Sequence, residues 1–252
     1  MNNPSPQKTM VEHVRELRKR LIICISALII TACISYLFVQ DIYDFLIAPL
    51  ADAMGDAPGR KMIYTGLTEA FFTYLKLSIF SGVIISFPIF AWQIYIFCAP
   101  GLYAHEKRFF IPFLIIAPML FLSGAAFVYY ALFPMAWEFF LSFEMPAGQG
   151  NLPIQLEAKI SEYLSLVTSL ILAFGLTFQL PLVVILLERI GVVTVAQLKK
   201  FRKYAVVIIL TVAAFLTPPD VISQLALATP LYLLYEISII FCAFKARKKV
   251  IT

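Results

Sequence analysis

Residues 15–39 read RELRKRLIICISALIITACISYLFV: four cations within six residues, then nineteen residues without a charge. At 1.5 Å per residue, a helix over Leu21–Val39 approaches the roughly 30 Å thickness of a bilayer's hydrocarbon core. Five further apolar runs follow, over residues 74–97, 109–132, 163–187, 204–216 and 225–244. The pattern predicts an all-α, polytopic membrane protein of six transmembrane helices.

The cations set its orientation. Of the twenty Lys and Arg residues, sixteen lie on one side of these runs. Lys8, Arg15, Arg18, Lys19 and Arg20 precede the first run, and Lys107 and Arg108 separate the second from the third. Arg189, Lys199, Lys200, Arg202 and Lys203 separate the fourth from the fifth, and Lys245, Arg247, Lys248 and Lys249 follow the sixth. Only Arg60, Lys61, Lys76 and Lys159 fall on or near the other face. The positive-inside rule then places both termini in the cytoplasm. The net charge of +5 is read as an orientation signal, with no nucleic-acid partner implied.

With 61% hydrophobic residues a soluble core is excluded, and no stretch between runs is long enough for a separate catalytic domain. Residues 1–252 are therefore read as one integral membrane domain. Arg15–Arg20 and the run behind them resemble a signal peptide, and Ile30–Cys33 a lipoprotein cleavage box. The run is longer than an ordinary signal core and continues past Cys33, so it is read as a retained span. Cys24, Cys33, Cys98 and Cys242 lie within or at the edges of spans and are expected to be small buried apolar residues. His13 and His105 have no second ligand at metal spacing, so neither a metal site nor a cofactor is expected.

Met10, Val14, Leu17 and Leu21 recur at helical spacing, predicting an amphipathic surface helix over Lys8–Arg20 that leads into the first span. Glu16 and Arg20, four apart, are expected to form an intrahelical ion pair. The first outer loop, 40–73, runs from an amphipathic stretch to Pro49 and then to a turn rich in Gly and Pro. The second outer loop begins with aromatic residues suited to the lipid–water interface. Pro88, Pro112, Pro118, Pro134 and Pro181 fall inside or at the edges of spans, which predicts kinked helices around a concave face. The fifth run has thirteen residues, about 20 Å of helix, shorter than the hydrocarbon core. Such a hairpin is expected to thin the bilayer or tilt its neighbours.

No phosphate loop, paired histidines or nucleophile with a base partner is present, and the spans hold too few ionisable groups for an intramembrane enzyme. The cytoplasmic loop 97–108, FCAPGLYAHEKR, carries one acid, Glu106. By its neighbours alone, Glu106 pairs with Lys107, Arg108 or an adjacent helix, or it receives a cationic ligand. Three groups lie within or beside spans: Gln179, suited to a helix–helix hydrogen bond or a polar patch; Glu236, which needs a partner or a proton; and Lys76, placed to snorkel outward.

The segments HVRELRKRL (13–21), TEAFFTYLKLS (68–78), FCAPGLYAHEKR (97–108), FGLTFQLPLV (174–183), TPPDVISQ (217–224) and LLYEIS (233–238) occur in the order and spacing of one family. They resemble the twin-arginine translocase C subunit, TatC, along almost the whole chain. The resemblance implies a non-enzymatic signal-peptide receptor and core subunit of a machine that exports folded proteins across the bacterial cytoplasmic membrane, driven by the protonmotive force. Its implied partners are twin-arginine signal peptides, single-span subunits of the TatA and TatB type, membrane lipids and further copies of the chain. The implied signal-peptide site comprises Glu16, Glu106, Phe97 and Arg18. Gln179 stands where some members carry Glu, and Pro49, Pro218, Asp220 and Gln224 are structural or partner-contact candidates. Two carboxylates suit two guanidinium groups, each a planar fork of donors. The alternative reading is a small-solute transporter or channel, which would be marked by an inverted repeat or a run of intramembrane ionisable groups.

Overall fold

The computed structural model describes residues 10–55, 61–98, 104–145, 154–216 and 221–250. Nine α-helices account for most of them: α1 (Met10–Leu37), α2 (Val39–Met54), α3 (Glu69–Cys98), α4 (Ala104–Phe127), α5 (Phe133–Leu141), α6 (Ile160–Thr177), α7 (Leu180–Arg189), α8 (Val195–Leu216) and α9 (Val221–Val250). Among the described residues there is no strand; the two β-bridges, Ile63 to Lys159 and Met145 to Ile154, are isolated. Among the described residues, five segments are long and apolar enough to cross a membrane: Val14–Leu37, Glu69–Phe97, Leu114–Leu141, Ile160–Glu188 and Leu227–Phe244. The protein is a multi-pass membrane protein.

At the expected fifth span, 204–216, α8 carries Lys199, Lys200, Arg202 and Lys203 in its first half, and its uncharged part begins only at Tyr204. The helix is full length, but its apolar stretch is as short as the sequence predicts. At the N-terminus, no Gly or Pro interrupts α1, so the expected surface helix and the first span are one continuous helix. Cys33 is exposed on α1 rather than buried, whereas Cys242 is buried as expected. Cys98 lies in α3 with its side chain outside the described residues.

The chain packs as two units, Met1–Ile42 with Tyr74–Pro118, and Tyr43–Thr73 with Met119–Thr252. In the first, α1 and α3 approach at Gly82, where a β-carbon would stand 2.9 Å from the Ala32 nitrogen. The Thr31 hydroxyl donates to the Gly82 carbonyl at 3.0 Å. Small residues that admit close backbones, and hydroxyls that bond across them, are the usual means of joining helices in lipid. The opposite side of α1 exposes Ile22, Ile25, Ile29 and Ile34, as a lipid-facing surface requires.

In the second unit, α4 meets α6 at Gly124, where a β-carbon would lie 2.7 Å from the Phe174 carbonyl oxygen. A π-helical turn, Val128–Leu132, links α4 to α5. Its cause is Pro134: the ring lacks the amide that would donate to Tyr130, and a wider turn absorbs the missing bond. Because Pro134 fits the first turn of α5, the helical segment continues to Leu141 instead of stopping near 132. The fourth span does break, at Phe178 and Gln179, with Pro181 in the first turn of α7. An aromatic cluster joins α2, α5 and α6: Trp137 lies 5.4 Å from Phe133 and 5.2 Å from Tyr163 between ring centroids. The buried Tyr163 hydroxyl donates to the Leu46 carbonyl at 2.7 Å. Both α7 and α8 pack on α9 through Val184, Leu198, Ala205, Tyr235, Ile239 and Cys242.

Candidate functional site

At the start of α1 the cations divide by burial. Arg15, Arg18 and Lys19 are exposed, while Arg20 is 9% exposed. The turn of the helix explains the split, since Arg20 lies on the α1 face that meets α3. Its Nη2 donates to the Glu16 carboxylate one turn earlier, so the expected ion pair forms. Nη1 donates to the Gln93 carbonyl of α3 at 3.1 Å, and the guanidinium lies 5.8 Å from the centre of the Phe97 ring. Nε is buried without a hydrogen-bond partner. Glu16 and Phe97, two of the expected site residues, thus meet through one guanidinium. Arg18 projects away from it into the exposed surface. Glu106 lies in the first turn of α4, and its side chain falls outside the described residues.

This arrangement already displays the chemistry of arginine recognition: a carboxylate for the fork, a backbone carbonyl for a second nitrogen and an aromatic ring near the cation. Gln93 and Arg20 were not among the site residues expected from sequence. The spacing of Glu16 and Arg20 signalled their pairing, whereas the Gln93 contact depends on how α3 packs.

On α9, Glu236 has the partners that its position demands. Arg202 Nη2 of α8 donates to one carboxylate oxygen at 2.6 Å, and the Tyr232 hydroxyl donates to the other at 2.9 Å. Further along the same hairpin, Gln224 Nε2 donates to the Leu210 carbonyl at 3.0 Å. Gln224 lines a shallow depression with Val207, Leu210, Thr211 and Ala214. Pro218 and Asp220 lie outside the described residues. Gln179 marks the break between α6 and α7, where its carbonyl accepts from the Val183 amide at 3.0 Å. Lys76 is exposed on α3. Pro49 sits inside α2 and lines a groove of about 480 Å³ with Phe45, Asp52, Tyr129 and Glu138.

A second carboxylate with a dense set of partners is Glu69, at the start of α3. One oxygen accepts from the amides of Thr65 and Gly66 at 2.9 and 3.0 Å. The other accepts from the Ser161 hydroxyl of α6 and lies 3.7 Å from Lys159 Nζ. Two backbone bonds, Ile63 amide to Ala158 carbonyl and Ile160 amide to Ile63 carbonyl, both 3.0 Å, run alongside. Glu69 therefore fastens the segment after α2 to the start of α6. A glutamate three or four residues after a Thr-Gly pair is a legible helix-capping signal; its tertiary partners are not.

The family model for the Sec-independent protein translocase protein (TatC) matches residues 12–230. The chain is 52% identical over 233 residues to the Sec-independent protein translocase protein TatC of Rickettsia prowazekii (strain Madrid E), covering 92% of each. It is 40% identical over 240 residues to the protein of that name from Escherichia coli (strain K12), covering 95% of this chain and 90% of that one. It superposes with a TM-score of 0.78 on a crystal structure of the twin-arginine translocase receptor TatC in DDM, at 39% identity, covering 92% of this chain and 99% of that one.

Proposed function

This chain belongs to the TatC family of Sec-independent protein translocase proteins, and on that premise we propose that it is the receptor and core subunit of a twin-arginine translocase. The single observation that carries this reading is similarity along nearly the entire chain, in sequence and in fold, to a twin-arginine translocase receptor. The protein sits in the bacterial cytoplasmic membrane with both termini inside, and it exports folded cargo driven by the protonmotive force. It performs no covalent chemistry itself.

Recognition takes place on the cytoplasmic face. One arginine of the signal peptide is received by Glu16 beside Phe97 and the other by Glu106, with Arg18 excluding poorly placed basic segments by repulsion. Support comes from the Glu16 carboxylate, which accepts from a guanidinium within this chain, and from the half-buried Phe97 ring beside that group. Single-span subunits of the TatA and TatB type dock along the α8–α9 hairpin, and further copies of the chain assemble with it. The short apolar part of α8 locally thins the bilayer. Site-specific crosslinking tests the receptor reading. A photoreactive residue at Tyr103 or Phe97 should capture a twin-arginine signal peptide, and should capture far less of the same peptide carrying two lysines. Equal capture of both would defeat the proposal.

A further inference from the structure

Arg20 is the one cation at the start of α1 that is nine-tenths buried, and it occupies the groups that would recognise an arginine. It donates to Glu16 and to the Gln93 carbonyl, and it lies beside Phe97. Its Nε is left without a partner, so the guanidinium is held by part of its donor set. A group engaged in this way is suited to exchange.

We propose that Arg20 is an internal competitor that sets the affinity of the arginine site: its guanidinium covers Glu16 and Phe97 until a guanidinium of the incoming peptide takes its place. The inference rests on the receptor reading above. The consequence follows from population arithmetic, since a site that is open for only a fraction of the time binds every ligand more weakly by that fraction. Peptides with a weaker match, such as those with lysine in place of arginine, then fall below the useful range while twin-arginine peptides remain within it. The ammonium of lysine lacks the planar fork and is more strongly hydrated, so it replaces Arg20 poorly.

The experiment measures binding of a fluorescent synthetic twin-arginine peptide to the full chain in lipid nanodiscs, for the parent protein, R20K, R20Q and E16Q. R20K keeps the charge but weakens the internal occupant, which separates competition from net repulsion; K19Q removes an exposed charge from the same helix as a further control. The inference predicts that R20Q binds the peptide roughly tenfold more tightly than the parent, that R20K lies between them, and that K19Q gains much less than R20Q. A dilysine peptide should gain by the same factor in R20Q. Affinity in R20K and R20Q equal to or weaker than the parent's, or a gain in R20Q no larger than in K19Q, would overturn it. An R20K protein that fails to fold would do the same, because Arg20 would then be a structural anchor. If the parent binds the peptide no better than E16Q does, the receptor reading itself fails, and that result is distinct from these.

Discussion

Arg202 on α8 and Glu236 on α9 are joined at 2.6 Å, and the second oxygen of that carboxylate is held by Tyr232. An acid within an apolar helix is costly unless paired, and here one helix supplies the charge that the other requires. Because α8 begins in a cationic stretch, its arginine reaches the carboxylate while the apolar part of the helix remains short.

Replacing Glu236 with Leu should therefore lower the thermal stability of the purified protein by leaving Arg202 without its partner. The Arg202→Glu, Glu236→Arg exchange should recover part of the loss. With Arg202 partly exposed, a double-mutant cycle should give a coupling of about 1 kcal/mol. Additive effects of the single substitutions would show that the pair contributes nothing to the hairpin.

Glu69 should matter for the order of the segment between α2 and α3. Glu69→Ala leaves the Thr65 and Gly66 amides and the Ser161 hydroxyl without this acceptor, so it should loosen the segment. Glu69→Gln keeps an acceptor and loses the attraction to Lys159, so it should cost less. Limited proteolysis of the segment after Met54 checks the order: Ala fast, Gln intermediate, parent slow. Equal rates for all three would remove Glu69 from the account.

Much of the fold was legible because lipid imposes simple rules. The runs beginning at Leu21, Tyr74 and Leu225 and the cations between runs gave spans, and the thirteen uncharged residues after Lys203 gave the short apolar part of α8. Proline was harder to read. Pro134 and Pro181 both predicted kinks, but a π turn ahead of Pro134 lets the helix run on to Leu141, whereas the helix breaks just before Pro181. The segment after Pro134 is also held by Trp137 packing on Tyr163 of α6, a tertiary contact. At the candidate site the Glu16–Arg20 pair followed from spacing. The Gln93 carbonyl, the unpartnered Nε and the Arg202 partner of Glu236 depend on helices that only folding brings together.

Orientation yields a direct prediction. Reporters active in the cytoplasm should work when fused after Arg108, Arg202 or Lys249, and reporters active outside should work after Asp56, Gly148 or Asp220. A reversed signal at any of these points would contradict the arrangement of spans.

The length of α8 should matter as well as its residues. Four leucines inserted between Tyr204 and Leu216 add about 6 Å of helix, which should relieve mismatch and favour insertion. Export of folded cargo should fall while signal-peptide binding persists. Normal export with normal partner crosslinks would make the short span incidental to transport.

The central claim is that carboxylates on the cytoplasmic face receive the arginine pair. Its most direct test is the affinity of a twin-arginine signal peptide for the parent protein and for Glu16→Gln, Glu106→Gln and Glu106→Lys in nanodiscs. Each single loss should weaken binding by about 2 kcal/mol or more, close to thirtyfold, because a desolvated guanidinium is left unmatched. Glu106→Lys should abolish binding with membrane insertion intact. Undiminished peptide affinity in Glu106→Lys would contradict the account.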